Sequence, residues 1–141
     1  MINRKAFVVF GLALASLVVF SDAHASEVDQ ATKLTFSQSV QIPGQVLPAG
    51  TYWFVVLTPN AVRIFNSDQS KVVATLLTNP AEVLKPADKT TVTFADRGSM
   101  QPAAIVTWFY PGRLEGHQFM YSNQERKEIA QATLHTVASG D

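Results

Sequence analysis

Ala104-Ile105-Val106-Thr107-Trp108-Phe109-Tyr110-Pro111-Gly112-Arg113-Leu114-Glu115-Gly116-His117-Gln118-Phe119-Met120-Tyr121 is the stretch whose reading decides the fold. Two aromatic-rich runs, Ile105–Tyr110 and His117–Tyr121, flank a break marked by Pro111, Gly112 and Gly116. Aromatic and β-branched side chains fit a pleated, half-buried surface, and Pro and Gly punctuate it. The stretch is therefore predicted to be a β-hairpin with a loop of about four to six residues. Five aromatics (Trp108, Phe109, Tyr110, Phe119 and Tyr121) out of the chain's nine Phe, three Tyr and two Trp fall here, so burial per residue should peak in this hairpin.

Upstream, the same alternation recurs. Lys33–Ser37 sets Leu34 and Phe36 against Lys33, Thr35 and Ser37, and Val40–Ile42 continues the pattern to a turn at Pro43-Gly44. Thr51–Leu57 is apolar on both faces and reads as a central strand covered on both sides. Ala61–Phe65 and Lys71–Thr78 form a further hairpin around Asn66-Ser67-Asp68-Gln69, closed by Asn79-Pro80. Ala81–Lys89 reads as a surface connection. Thr90–Ala95 is a strand with Val92 and Phe94 inward, and Asp96–Pro102 is a loop.

After Tyr121 the period changes. Ser122 and Glu125 have the spacing of a capping box, and good helix formers follow, with Ile129 as the apolar anchor. A helix this short needs tertiary packing to persist. Turn signals every eight to twelve residues make the fold class all-β. The expectation is a single-domain β-sandwich or small β-barrel of seven to eight mostly antiparallel strands with a short C-terminal helix.

The first 25 residues read as a signal peptide. Arg4 and Lys5 precede the uncharged apolar run Ala6–Phe20, and Ala23-His24-Ala25 places small residues for cleavage after Ala25. That run would span ~22 Å as a helix, short of the ~30 Å hydrocarbon core, so contact with the membrane is transient. Residues 26–32 are then a flexible leader, 33–132 the β domain with its helix, and 133–141 a flexible tail. A secreted or periplasmic protein follows. Cysteine is absent, which excludes disulfides, thiol nucleophiles and thiolate metal sites. Without Arg4, Lys5 and Asp22 the formal charge, zero for the whole chain, becomes about −1. Nothing in that balance suits nucleic acid.

The combination Leu34-Thr35-Phe36-Ser37, Ile42-Pro43-Gly44, Leu47-Pro48-Ala49-Gly50-Thr51-Tyr52, Ile64-Phe65-Asn66, Ala74-Thr75-Leu76, Trp108-Phe109-Tyr110-Pro111-Gly112 and Gly116-His117-Gln118-Phe119 resembles a family of small secreted bacterial β-rich proteins of unknown function. The resemblance spans residues 30–130. It implies an exported, mostly β domain and brings no catalytic residue, ligand or partner.

Candidate chemistry is sparse. His117 lies near Glu115, and with Asp96 as orienter and Ser37, Ser99 or Ser122 as nucleophile it could serve a hydrolase, yet no nucleophile-elbow sequence surrounds those serines. The plainer reading has His117 bonding a backbone group. His135 falls in the tail. No histidine pair has ligand spacing, and Asp88, Asp96 and Glu115 are too dispersed for a calcium loop, so no metal or other cofactor is expected. Trp108, Tyr110 and Tyr121 could form a stacking platform for a sugar or peptidoglycan, rimmed by Arg113 and Gln118. Against this, aromatic stripes in strands usually pack a core. Trp108, Tyr110, Arg113, His117 and Tyr121 are the candidate ligand-binding residues. The functional expectation is a non-catalytic binding or structural module of the cell envelope, with an envelope protein or glycan as partner. A ligand-binding barrel is the alternative, and a hydrolase the one after it.

Overall fold

The computed structural model describes residues 30–98 and 100–138, together with the backbone of Ala23–His24. Most of the predicted signal peptide, residues 25–29 of the cleavage site and leader, Ser99 and the last three residues lie outside the described residues.

Of the described residues 57% are strand and 7% helix, arranged as one large mixed sheet that does not close into a barrel. In order come β1 (Ala23–His24), β2 (Ala31–Phe36), β3 (Val40–Ile42), β4 (Gln45–Leu47), β5 (Gly50–Thr58), β6 (Ala61–Asn66), β7 (Val72–Glu82), β8 (Thr91–Asp96), β9 (Ala103–Phe109), β10 (Glu115–Phe119), α1 (Asn123–Ala130) and β11 (Thr133–Ala138). The main path of hydrogen-bonded neighbours runs β1-β2-β5-β6-β7-β10-β9-β3-β4, with β8 on the other side of β9 and β11 beyond it. All pairings are antiparallel except β3 with β9.

The sheet folds back over itself, and aromatic rings close the gap. Phe54 of β5 meets Trp108 of β9 with ring centroids 5.7 Å apart and Phe119 of β10 at 6.3 Å. Phe36 of β2 meets Phe94 of β8 at 6.2 Å. Leu34, Val40, Ile42, Leu47, Val62, Ile64, Val92 and Ile105 fill the space around them, all buried. The predicted alternation of Leu34 with Phe36 and of Val92 with Phe94 holds.

β7 makes the fold-over possible. Val72–Leu77 pairs with β6, and Thr78–Glu82 pairs with β10. The strand was expected to stop at Asn79-Pro80; it continues to Glu82 because Pro80 sits where no donor is needed. Val83 N donates to Leu114 O (2.9 Å) and Met120 N to Leu77 O (3.3 Å), so odd-numbered residues of β7 carry the bonds to β10. Even-numbered residues turn their N–H the other way. There Thr78 N reaches Asn60 O at 2.8 Å, and beyond it β6 has ended. Proline is tolerated at such an open edge.

The aromatic hairpin forms as expected, with His117 opposite Trp108 and Gln118 opposite Thr107. Gly116 has a steric reason. A Cβ there would lie 2.5 Å from Phe109 Cδ2, so the Phe109 ring occupies the side-chain space of its neighbour on the outer face. The capping box is present too, with Glu125 N donating to Ser122 Oγ (3.3 Å) and Ser122 N to Glu125 Oε1 (3.2 Å).

Four expectations are corrected. The leader does not extend to residue 32, because Ala31 and Thr32 are buried and open β2. The tail from Thr133 is strand β11, bonded along its whole length to β8, with Val137 against the core. The strand number rises above eight because β4, too short to show alternation, pairs with β3 across Pro43-Gly44, and because of β11 and β1. Thr51–Leu57 is central, between β2 and β6, but is not covered along its length, since Leu57 is exposed.

Candidate binding cleft

Where β7 leaves β6, a gap remains between the end of β5 with its turn and the start of β10. It is a cleft of about 280 Å³ lined by Val56, Leu57, Thr58, Pro59 and Pro80 on the apolar side. Gln30, Arg113, Glu115, Gly116 and His117 complete the lining. Two of the five predicted site residues, Arg113 and His117, thus come together here.

His117 is positioned by β10 and is only 7% exposed. Its ring stacks on Trp108 at 5.8 Å with planes 24° apart, and its Nδ1 lies 2.8 Å from Thr78 Oγ1. Thr78 is itself buried, and its side chain has no other hydrogen-bond partner among the described residues. A buried hydroxyl left without an acceptor is costly, so Thr78 donates to Nδ1 and the imidazole carries its proton on Nε2. Nε2 makes no hydrogen bond among the described residues and is not sealed from solvent. His117 itself lines the cleft. Burial pushes the His117 pKa below its ordinary 6.5, which keeps the ring neutral at neutral pH.

That shift has a testable consequence. The unfolded chain takes up a proton near pH 6.5 that the folded chain resists, so unfolded molecules bind more protons below that value. Stability is full above pH 6.5 and falls as the pH drops through it, flattening once the folded ring protonates. Urea midpoints measured from about pH 8 to pH 5 should fall more steeply for the native protein than for His117→Asn, whose amide oxygen can still accept from Thr78. Identical slopes would remove the buried imidazole as the cause.

Arg113 reaches across the cleft's end to Gln30. The donors of Arg113 require the Gln30 amide to be turned with its oxygen toward them, and in that orientation it accepts from Nε at 2.9 Å and also from Nη2. The backbone carbonyl of Gln30 accepts from Val56 N (2.9 Å), so the residue whose neutral side chain holds the guanidinium is itself tied to β5. Arg113 and Glu115 stand two positions apart in one cleft, yet no ion pair joins them among the described residues. Glu115 faces Glu82 directly across the β10–β7 ladder, a like-charge pair that no ion pair joins to a cation among the described residues.

The other predicted site residues lie elsewhere. Trp108 is fully buried, so it backs His117 and presents no stacking face to solvent. Tyr121 is also buried. Its hydroxyl donates to Ile105 O at 2.6 Å with Gln41 O at 3.1 Å beside it, and desolvation, with Glu125 nearby, drives its pKa far up. Tyr110 is half-buried, and its carbonyl accepts from Arg113 N (3.3 Å) in the hairpin loop. An aromatic platform is therefore not what these residues build. Asp96 lies away from His117. It stands 3.9 Å from His135 of β11, beside the Arg97–Glu128 ion pair at 3.1 Å that fastens α1 to the β8–β9 loop. Among the described residues, no serine lines the cleft.

Sequence reasoning missed Gln30 and Thr78. Thr78 lies 39 residues from His117, and no local pattern signals either partner. Among the described residues, no three of His, Cys, Asp or Glu gather as a metal site. Compared with known proteins, the chain matches no family model, no curated sequence and no solved structure.

Proposed function

We propose that this is an exported, non-catalytic binding module of the bacterial cell envelope, which uses the cleft at the fork of β7 to hold part of an envelope protein or glycan. Export is supported by Arg4 and Lys5, the apolar run Ala6–Phe20 and the small residues at the cleavage position. One observation carries the binding reading. A cation, an anion and an imidazole line one cleft, and among the described residues none is paired with another. Small pockets with a few convergent polar groups are where ligands bind.

A catalytic reading has less support. The partner of His117 is a threonine hydroxyl, which orients the ring but does not stabilise an imidazolium as a carboxylate would. Trp108 lies against His117, so its fluorescence reports on the cleft; Trp53→Phe removes the only other tryptophan. Titration with peptidoglycan fragments, oligosaccharides and short peptides should give a saturable change with one of these classes, lost in Arg113→Met. Ester or amide hydrolysis abolished by His117→Asn in a folded protein would overturn the proposal.

A further inference from the structure

We infer that the cleft takes a small zwitterion of the amino-acid or short-peptide class. Its carboxylate would lie on Arg113 and the His117 Nε2–H, and its ammonium on Glu115. This rests on the cleft being a binding site, as proposed above, and adds the chemistry of its ligand.

The charge pattern is the first ground. Arg113 and Glu115 could satisfy each other from positions two apart. Instead the guanidinium is held by the neutral Gln30, and the carboxylate is left opposite a second carboxylate, Glu82. Two opposite charges kept apart in one cleft match a ligand that carries both. A simple anion would gain Arg113 and meet Glu115, and a simple cation the reverse. Binding both ends also fixes the ligand's direction, because a guanidinium receives a carboxylate through paired N–H groups.

The second ground is independent. His117 is more than nine-tenths buried and lines the cleft, and its Nε2 has no hydrogen-bond partner among the described residues. A donor with no fixed protein acceptor is one that a ligand oxygen can take up. The carboxylate end of the site is thereby placed between Arg113 and His117. Size agrees. At about 280 Å³ the cleft sits at the small end of ligand pockets, and Val56, Pro59 and Pro80 offer apolar contact to a short side chain.

The test is calorimetric titration of the protein with diglycine, sodium acetate and methylammonium chloride at matched ionic strength, repeated on Arg113→Met and Glu115→Gln. Arg113 and Glu115 are both exposed, so the variants should keep the native circular-dichroism spectrum. Diglycine should bind saturably and at least tenfold more tightly than either single-charge probe. Each variant should weaken diglycine tenfold or more, while Glu115→Gln should strengthen acetate by removing a repelling carboxylate. Acetate binding as tightly as diglycine would overturn the zwitterion and leave the cleft a binding site. Silence from all three probes and from the oligosaccharides would overturn both readings.

Discussion

Phe54→Ala should lower the free energy of unfolding by about 3–5 kcal/mol, measured by urea denaturation. Phe54 is fully buried at the centre of β5 and joins both halves of the folded-over sheet. Its ring meets Phe36 at 6.1 Å and 67°, Trp108 at 5.7 Å and 72°, and Phe119 at 6.3 Å and 86°. These tilted contacts are the geometry aromatic quadrupoles favour. Truncation removes three ring contacts together and leaves a cavity that the strands, fixed by their ladders, cannot close. Since domains of this size are held by only about 5–15 kcal/mol, the variant should sit close to unfolding. Phe54→Leu, which keeps most of the volume, should cost less than half as much. A loss under about 1 kcal/mol for alanine would mean that the two halves are not joined through this ring.

The second large effect is expected at the C-terminus. A chain ending at Ala132 should lose roughly 1–3 kcal/mol, because it removes the whole ladder of β11 and the apolar burial that the strand gives Val137 and β8. Six residue pairs join β11 to β8, from Thr133 opposite Asp96 to Ala138 opposite Thr91. Without them β8 becomes an edge. The Val137 contact to the core is lost, and so are the Thr93–Thr136 hydroxyl bond at 2.9 Å and the approach of His135 to Asp96. An exposed edge next to Phe94 also invites association between molecules. The melting temperature should therefore fall and depend on concentration. An unchanged melting temperature would show that β11 contributes nothing to the fold.

This strand is also where sequence reasoning went furthest astray, and the cause is physical. Thr133–Ala138 holds Leu134 and Val137 three apart, which breaks the two-residue period that marks a half-buried strand. Its pairing is dictated by β8, nearly forty residues earlier, and no local pattern encodes that. Pro80 misled in the opposite sense, since proline normally ends a strand and here occupies the edge that β6 has vacated. Where local chemistry is sufficient, the reading held. The Pro111-Gly112 hairpin, the Pro43-Gly44 turn and the Ser122–Glu125 cap are all present.

The cleft was half legible. Arg113 and His117 could be named from their loop and strand positions. Their meaning depends on Gln30 and Thr78, which only tertiary structure brings near. Trp108 could not be placed because alternation groups it with Tyr110 without saying which face is inside. Both faces of β9 turn out to be covered, one by the core and the other by the Phe109 ring lying over Gly116.

The fork in β7 also bears on solubility. A β protein that leaves a strand edge open offers a template on which another molecule's strand could extend the sheet. Here the exposed stretch presents Pro80, which has no N–H to give, followed by Glu82 with Glu115 beside it. An incoming strand would find a missing donor and then two negative charges. The edge refuses strand addition by its own chemistry, so no helix or loop is needed to cover it, and the cleft beside it stays open.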